Sequence, residues 1–310
     1  MSFLQSPAWG TFQKTQGRQI ISRNGDGWRY QAILEHGTGN TRAYTPYGPI
    51  ADSAAAFDAA LTALEQDAKQ HGATFVRIEP TFPISDSELR ARGYRKVTYN
   101  QLQPAHTQLI DLSQDEDAII AQMSQNTRNL YRNHHKKGIA IHKSHNPKDI
   151  EILLTFLRQV AQRNHITPHS DAYFKAQAKA LLPHKAATLF YATLGDTPIA
   201  ASLMYDSDDT RTYAHAAADD TYRKYSAGTA LLAYAIIDAK HAGKTTFDLY
   251  GIAPENEPNH PWAGFTKFKK SFGGKSVAYP GAWDKPLKSL RYHIYRCYQS
   301  LRRALKKRRK

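Results

Sequence analysis

The chain repeats itself. The segment Asp67-Ala68-Lys69-Gln70-His71-Gly72-Ala73-Thr74-Phe75-Val76-Arg77-Ile78 is echoed by Asp238-Ala239-Lys240-His241-Ala242-Gly243-Lys244-Thr245-Thr246-Phe247-Asp248-Leu249, at an offset of 171 residues (238 − 67). Five positions are identical, and both copies end on alternating apolar residues. Each copy reads as a helix closed by a glycine, the residue that enters left-handed backbone without steric cost, followed by a strand. Each is followed by a second glycine site, Arg92-Gly93-Tyr94 in one case and Ser271-Phe272-Gly273-Gly274 in the other. A repeat of this order of elements predicts two domains of like construction, and 310 residues accommodate them.

Short apolar runs alternate with helical patterns around the echo. Arg29–Glu35 and Thr74–Ile78 read as strands, Ala54–Gln70 as a helix with Leu61 and Leu64 on its apolar face, and 150–161 and 172–182 as two more helices. Such alternation predicts α/β or α+β layers. A helix, a glycine, a strand and then a glycine–aromatic segment resembles the closing half of an acetyltransferase-like (GNAT) domain. Tyr225-Ser226-Ala227-Gly228-Thr229-Ala230 resembles the turn whose helix amides grip the pyrophosphate of coenzyme A, with Tyr225 where that pattern has Gln or Arg. The expected fold class is therefore α+β, two tandem GNAT-like domains, with the coenzyme A grip altered.

Charge narrows the partners. The net charge is +15, yet 285–310 alone holds 11 Lys and Arg and no Asp or Glu. The tail carries Leu287, Leu290, Ile294, Tyr298, Leu301 and Leu305 at helical spacing, which predicts a basic C-terminal helix. Its stripe is expected to pack on the body over at least its first two turns, leaving the last turn, Lys306–Lys310, free to bind phosphates. The single cysteine, Cys297, forms no disulfide within the chain and fits a reducing compartment. The first residues lack a signal-peptide pattern, and no apolar run is long enough to span a bilayer. His165 and His169 lie four apart, but Pro168 interrupts any helix between them, so no metal site is expected.

Several strings resemble one family in the right order. Phe3-Leu4-Gln5-Ser6-Pro7-Ala8-Trp9, Tyr44-Thr45-Pro46-Tyr47-Gly48-Pro49-Ile50 with Asp52, Arg77-Ile78-Glu79-Pro80, Gln103-Pro104 with Thr107–Leu112, Met123 with Arg128 and Lys136-Lys137-Gly138, Phe268-Lys269-Lys270-Ser271-Phe272-Gly273-Gly274, and Tyr279-Pro280-Gly281-Ala282-Trp283-Asp284 all resemble the FemABX enzymes. Glu79 stands where the family more often has Asp. The resemblance implies two GNAT-like domains, with domain 1 at 1–106 completed by 282–310 and domain 2 at 107–281. The 150–182 stretch is too short for the coiled-coil arm some members carry. It also implies an aminoacyltransferase that moves an amino acid from aminoacyl-tRNA onto the branch amine of a peptidoglycan stem peptide, UDP-linked or lipid-linked, with aminoacyl-tRNA as co-substrate and no other cofactor. A cytoplasmic location is expected, with peripheral contact to the inner face of an anionic membrane through 286–310.

By this resemblance Lys269 lies near the tRNA acceptor end and stabilises the oxyanion, and Phe268 stacks on the terminal adenine. Lys270, Arg128 and Arg132 face the tRNA, although a solvated helix face suits the last two equally. Lys14 and Arg163 are candidates for the precursor pyrophosphate, Asp52 for its sugar or peptide, and Tyr213 for the stem peptide. Glu79 is a candidate proton acceptor, or a structural partner of Arg77. The sequence offers no obvious nucleophile, and aminolysis of an activated ester needs none: it needs positioning and oxyanion stabilisation. Two other classes fit parts of the pattern. One is a coenzyme A-dependent N-acyltransferase, which Tyr225 disfavours. The other is a binder of RNA or anionic membrane driven by the tail.

Overall fold

The computed structural model describes residues 2–37, 39–99, 101–164, 167 and 169–308; the side chains of 303 and 305–308 are not described. His165, Pro168, the Leu305 side chain and the Lys306–Lys310 cluster therefore lie outside the described residues. The chain forms two compact units. The first comprises Leu4–Ala105 with Ala278–Lys310, and the second Met1–Phe3 with His106–Val277.

The first unit runs α1 (Pro7–Thr15), β1 (Gln19–Gly25), β2 (Trp28–Gly37), β3 (Asn40–Thr45), β4 (Ile50–Ala51), α2 (Ala54–Gln70), β5 (Phe75–Ile78), α3 (Asp86–Ala91) and β6 (Arg95–Lys96). The second runs β7 (His106–Asp111), α4 (Glu116–Gln122), α5 (Gln125–Asn133), β8 (Ile139–Ser144), α6 (Ile150–Asn164), α7 (Asp171–Leu181), β9 (Ala187–Leu194), β10 (Thr197–Asp206), β11 (Thr210–Ala218), α8 (Ala227–His241), β12 (Thr246–Gly251), α9 (Ala263–Lys270) and β13 (Lys275–Ala278). The chain then returns to the first unit through β14 (Trp283–Pro286) and α10 (Ser289–Arg308).

Each unit is built on a seven-stranded sheet. The strand order is β1-β2-β3-β5-β14-β6 in the first, with β4 beside β2, and β13-β7-β12-β11-β10-β9-β8 in the second. Each sheet contains a parallel pair, β3 with β5 and β11 with β12. A long helix, α2 or α8, crosses between the members of each pair. The echo in the sequence lies at these crossovers. Gly72 and Gly243 end the helices at φ +73° and +77°. Ala73 N–H then bonds Ala68 O at 2.9 Å, and Lys244 N–H bonds Ala239 O at 3.0 Å. Thr74 N–H and Thr245 N–H next reach the chain ahead of the parallel partner, at Thr41 O (2.6 Å) and Asp209 O (2.9 Å).

The two helices are buried for different reasons. α2 is amphipathic and turns Phe57, Leu61, Leu64 and Ala68 into the first core with Val76, Ile78 and Trp283. α8 is apolar nearly all round and fills the second core, where Leu231, Leu232, Ile236 and Ile237 meet Phe190, Met204, Phe247 and Phe272. α6 and α7 have 15 and 11 residues, and α6 lies against β10 and β11. Among the described residues no helix is long and apolar enough to cross a membrane.

The basic tail is a helix, but the expected face is not the one that packs. Leu287 joins the first core, whereas Leu290, Ile294, Tyr298 and Leu301 are exposed. α10 instead buries Tyr292 and Tyr295 against Phe75, with ring centroids 5.2 and 5.0 Å away. Burial suits these tyrosines, whose rings supply large apolar faces, and one of them also pairs its polar end. Tyr292 donates its hydroxyl to Asp284 at 3.0 Å.

Candidate active site

The second unit opens where its parallel pair ends. β11 and β12 pair across Thr210↔Thr246, Arg211↔Phe247 and Thr212↔Asp248, after which β11 continues to Ala218 and β12 to Gly251. On its other edge β12 slips register against β7 between Asp248 and Gly251, and Tyr250 stands at φ +63°. A bulge with a left-handed non-glycine residue turns the strand aside, so the two strands part in a V.

At the end of the β12 arm sits Lys269, from α9. Its Nζ donates to Gly251 O at 2.7 Å. Nearby, Asp248 Oδ1 accepts the Tyr250 N–H at 2.8 Å and the Thr107 hydroxyl. Burial pushes the Lys269 ammonium down to about 8, and the opposing pull of Asp248 does not cancel it. Burial likewise raises the Asp248 carboxyl, against hydrogen bonds from Thr107 and Tyr250 and the charge of Lys269. A part-buried cation that rests on one backbone carbonyl is suited to meet negative charge that develops during a reaction.

A cleft of about 680 Å³ lies in the same unit, lined among others by Arg163, Ala217, Ser226, Gly228, Phe265 and Phe268. Ser226 caps α8 from left-handed backbone (φ +53°) without a side-chain hydrogen bond to the helix. A side chain added at Gly228 would meet nothing within 4 Å. The start of α8 thus lines the cleft with no side-chain cap, although the Thr229 N–H turns back to Ser226 O at 3.0 Å.

In the first unit the parallel pair stays joined from Arg42↔Phe75 to Thr45↔Ile78. Glu79 is buried, and its oxygens are occupied. Oε1 accepts the Leu102 N–H at 2.8 Å, and Oε2 accepts the Tyr44 hydroxyl at 2.5 Å. Gln103 Nε2 donates to that tyrosine at 3.1 Å. Burial raises the Glu79 carboxyl while these hydrogen bonds and Arg77 hold it down. This is how a carboxylate pins a loop. Arg77 and Asp284, both fully buried, form a two-pronged ion pair at 2.7 and 2.8 Å.

The residues proposed from sequence separate between the units. Lys14, Asp52 and Glu79 belong to the first; Lys269, Phe268, Lys270, Arg128, Arg132, Arg163 and Tyr213 belong to the second. Arg163 and Phe268 are brought together on the cleft, where Arg163 pairs with Asp220 at 2.9 Å and Phe268 packs edge-on to Phe272. Tyr213 lies on β11, packed on the second core, and burial raises its hydroxyl. Lys270 is exposed and pairs with Glu255 at 3.1 Å. Arg132 is exposed, whereas Arg128 is drawn back onto its own fold, donating to Ala121 O at 2.9 Å and to Met123 O. Lys14 is exposed at the end of α1, and Asp52 sits over the Gly27 turn, its N–H bonded to Gly27 O at 3.0 Å. Asp248, Thr107 and Tyr250 were not singled out in sequence; Asp248 and Thr107 stood inside the motif strings, but their meeting, 141 residues apart, has no local signal. Among the described residues no group of His, Cys, Asp and Glu is arranged to hold a metal ion.

Comparison with known proteins gives one family and one fold. The model of the FemAB family matches residues 1–195 and 184–300. A crystal structure of FemX is similar over 94% of each chain, with a TM-score of 0.83 at 16% identity. The C-terminal (DUF2156) domain of a putative lysylphosphatidylglycerol synthetase from Agrobacterium fabrum is similar over 94% of this chain and 92% of its own, with a TM-score of 0.61 at 12% identity. L-PGS from Bacillus licheniformis is similar over 92% of each chain, with a TM-score of 0.54 at 15% identity. At these identities the likeness shows the fold alone. No curated protein matched in sequence.

Proposed function

The chain belongs to the FemAB family, the peptidoglycan cross-bridge aminoacyltransferases, and on that premise we propose that it transfers an amino acid from aminoacyl-tRNA to the branch amine of a peptidoglycan stem peptide. The observation that carries this reading is Lys269, a part-buried cation at the parting of β11 and β12. In the proposed step the acceptor nitrogen bonds the aminoacyl carbonyl carbon. The ester C–O bond breaks, and the proton lost by the amine ends on the released ribose oxygen. Negative charge passes through the carbonyl oxygen, and Lys269 offsets it. Phe268, on the cleft wall, stacks on the terminal adenine, and Arg163 on the same cleft, with the start of α8, meets the precursor pyrophosphate. Arg132 and Lys270 extend the cationic surface for the tRNA.

Lys14 and Asp52 in the first unit are assigned to the precursor, UDP-linked or lipid-linked, and Tyr213 to the stem peptide. Glu79 is assigned to positioning: its occupied oxygens favour holding the 101–103 loop over taking a proton. No cofactor beyond aminoacyl-tRNA enters this reading, and it operates on the cytoplasmic side.

One observation favours a second reading. The open α8 start is also what a coenzyme A pyrophosphate would need. Transfer of labelled glycine, alanine or serine from charged tRNA to UDP-linked and lipid-linked precursors separates the two. Under the first reading one acceptor is labelled, and Lys269→Met lowers the rate about 100-fold, or ~2.7 kcal/mol. Acyl transfer from acetyl-coenzyme A, with no label from any charged tRNA, would establish the second reading instead.

A further inference from the structure

α10 buries one face and leaves another without a partner. Tyr292 and Tyr295 pack on Phe75, while Leu290, Ile294, Tyr298 and Leu301 are 75, 60, 56 and 60% exposed. At 100° per residue these four fall within about 80° of one another; Leu290, Ile294 and Leu301 lie about 130° or more from the centre of the packed face, and Tyr298 about 90°. Four large apolar side chains in one exposed row exceed the scattered surface apolars of an ordinary domain. Cations flank them. Arg291 and Arg302 lie along one border of the row and line, with Arg18, Arg42 and the row's own Ile294 and Tyr298, a cleft of about 1030 Å³. Over 285–310 the sequence has 11 Lys and Arg and no acid.

We propose that this face of α10 docks on an anionic phospholipid bilayer, the helix lying in the plane of the interface. The apolar row enters the acyl boundary, and the flanking arginines meet lipid phosphates. Charge complementarity selects an anionic partner, and the aliphatic side chains select lipid over RNA. Leu290, Ile294 and Leu301 have no aromatic plane on which a base stacks, and burying them needs hydrocarbon. A helix of 20 residues is about 30 Å long, enough to lie flat with every member of the row at one depth. The inference does not rest on the transfer reaction.

The test uses the full chain with vesicles of phosphatidylcholine alone and of phosphatidylcholine mixed with phosphatidylglycerol. The protein is expected to cosediment with the mixed vesicles and not with phosphatidylcholine. Replacing the row by Leu290→Ser, Ile294→Ser and Leu301→Ser is expected to weaken binding about tenfold or more, because exposed positions are changed and the fold is left intact. Ile294→Trp is expected to show blue-shifted fluorescence only with mixed vesicles. Absence of binding to mixed vesicles at low salt would overturn the proposal. So would vesicle binding indifferent to the serine variant, which would mark plain polycation attraction. The same follows if the serine variant loses tRNA in filter binding but keeps vesicles, or if the wild type sediments as a dimer that this variant dissociates.

Discussion

The two units share a frame and use it in opposite ways. In the first, the parallel pair stays zipped from Arg42↔Phe75 to Thr45↔Ile78, and Glu79 N–H adds a bond to Thr45 O at 3.3 Å. In the second, the pair ends after three residues and the strands part. α2 is capped by its own Ser53, which accepts the Ala56 N–H, while α8 starts from a left-handed Ser226 whose side chain caps nothing. The echo aligns Arg77 with Asp248, so both units place a charge at the same point of the strand. Arg77 meets a matched carboxylate directly across the sheet in Asp284. Asp248 faces Leu109 across the sheet and takes hydrogen bonds from Thr107 and Tyr250, near a lysine whose proton is loosely held. The first unit matches its buried charge with a counter-charge inside the sheet. The other leaves an open strand end, an open helix end and a poised cation, which is what a site for a charged substrate requires.

The sharpest way to break this contrast is to remove one partner from each charge. Asp284→Asn leaves the Arg77 guanidinium buried without its counter-charge and is expected to cost about 3–5 kcal/mol in denaturant unfolding. Asp248→Asn keeps the hydrogen-bond acceptor and relieves a buried carboxyl, so its stability cost is expected to stay under about 1 kcal/mol while transfer activity falls. Equal losses of stability would mean that Asp248 and Lys269 are as structural as Arg77 and Asp284.

The protonation of Lys269 sharpens the contrast at intermediate size. Its ammonium is pushed down to about 8, so an activity that needs this charge is expected to fall as pH rises through 8. At pH 9 only about a tenth of the side chain would remain charged. Lys269→Arg keeps the cation at every accessible pH and is expected to abolish that alkaline limb, whatever its absolute rate. The stability sign is opposite. The folded value lies below the unfolded value of 10.5, so the unfolded chain binds more protons between the two and stability rises with pH across that window. A rate profile identical in wild type and Lys269→Arg would remove Lys269 from the reacting centre.

What the sequence made legible follows the reach of each interaction. The echo was readable because helix, glycine cap and strand are local chemistry, repeated at Gly72 and Gly243 with the same hydrogen bonds. α2 begins and ends where its periodicity predicts, at Ala54 and Gln70. Glu79 was not decidable, because its partners Tyr44 and Leu102 lie 35 and 23 residues away. Arg128 has the charge of a nucleic-acid contact, yet it folds back on the carbonyls ending α4. For α10, periodicity finds the aliphatic row, but Phe75 on a distant strand decides which face is buried. Asp248 stood in the echo but was given no role for the same reason: its geometry depends on Thr107 and on a bulge that no local pattern announces.

The smallest expected effects test the helix starts, and here the two units should differ in sign. Ser53→Ala removes the oxygen that accepts the Ala56 N–H and is expected to cost about 1 kcal/mol. Ser226→Gly removes no cap and relieves a left-handed non-glycine residue, so it is expected to stabilise the protein by up to about 1 kcal/mol. Both are read from denaturation midpoints at constant slope. If Ser226→Gly instead destabilises as much as Ser53→Ala, the Ser226 hydroxyl holds the first amides of α8 and the helix start is closed. The cleft would then lose the backbone donors assigned to the substrate phosphate, leaving Arg163 as the group to meet it. With opposite signs, the second unit keeps a strained, uncapped turn at a stability cost that the first unit avoids, as expected of backbone reserved for a ligand.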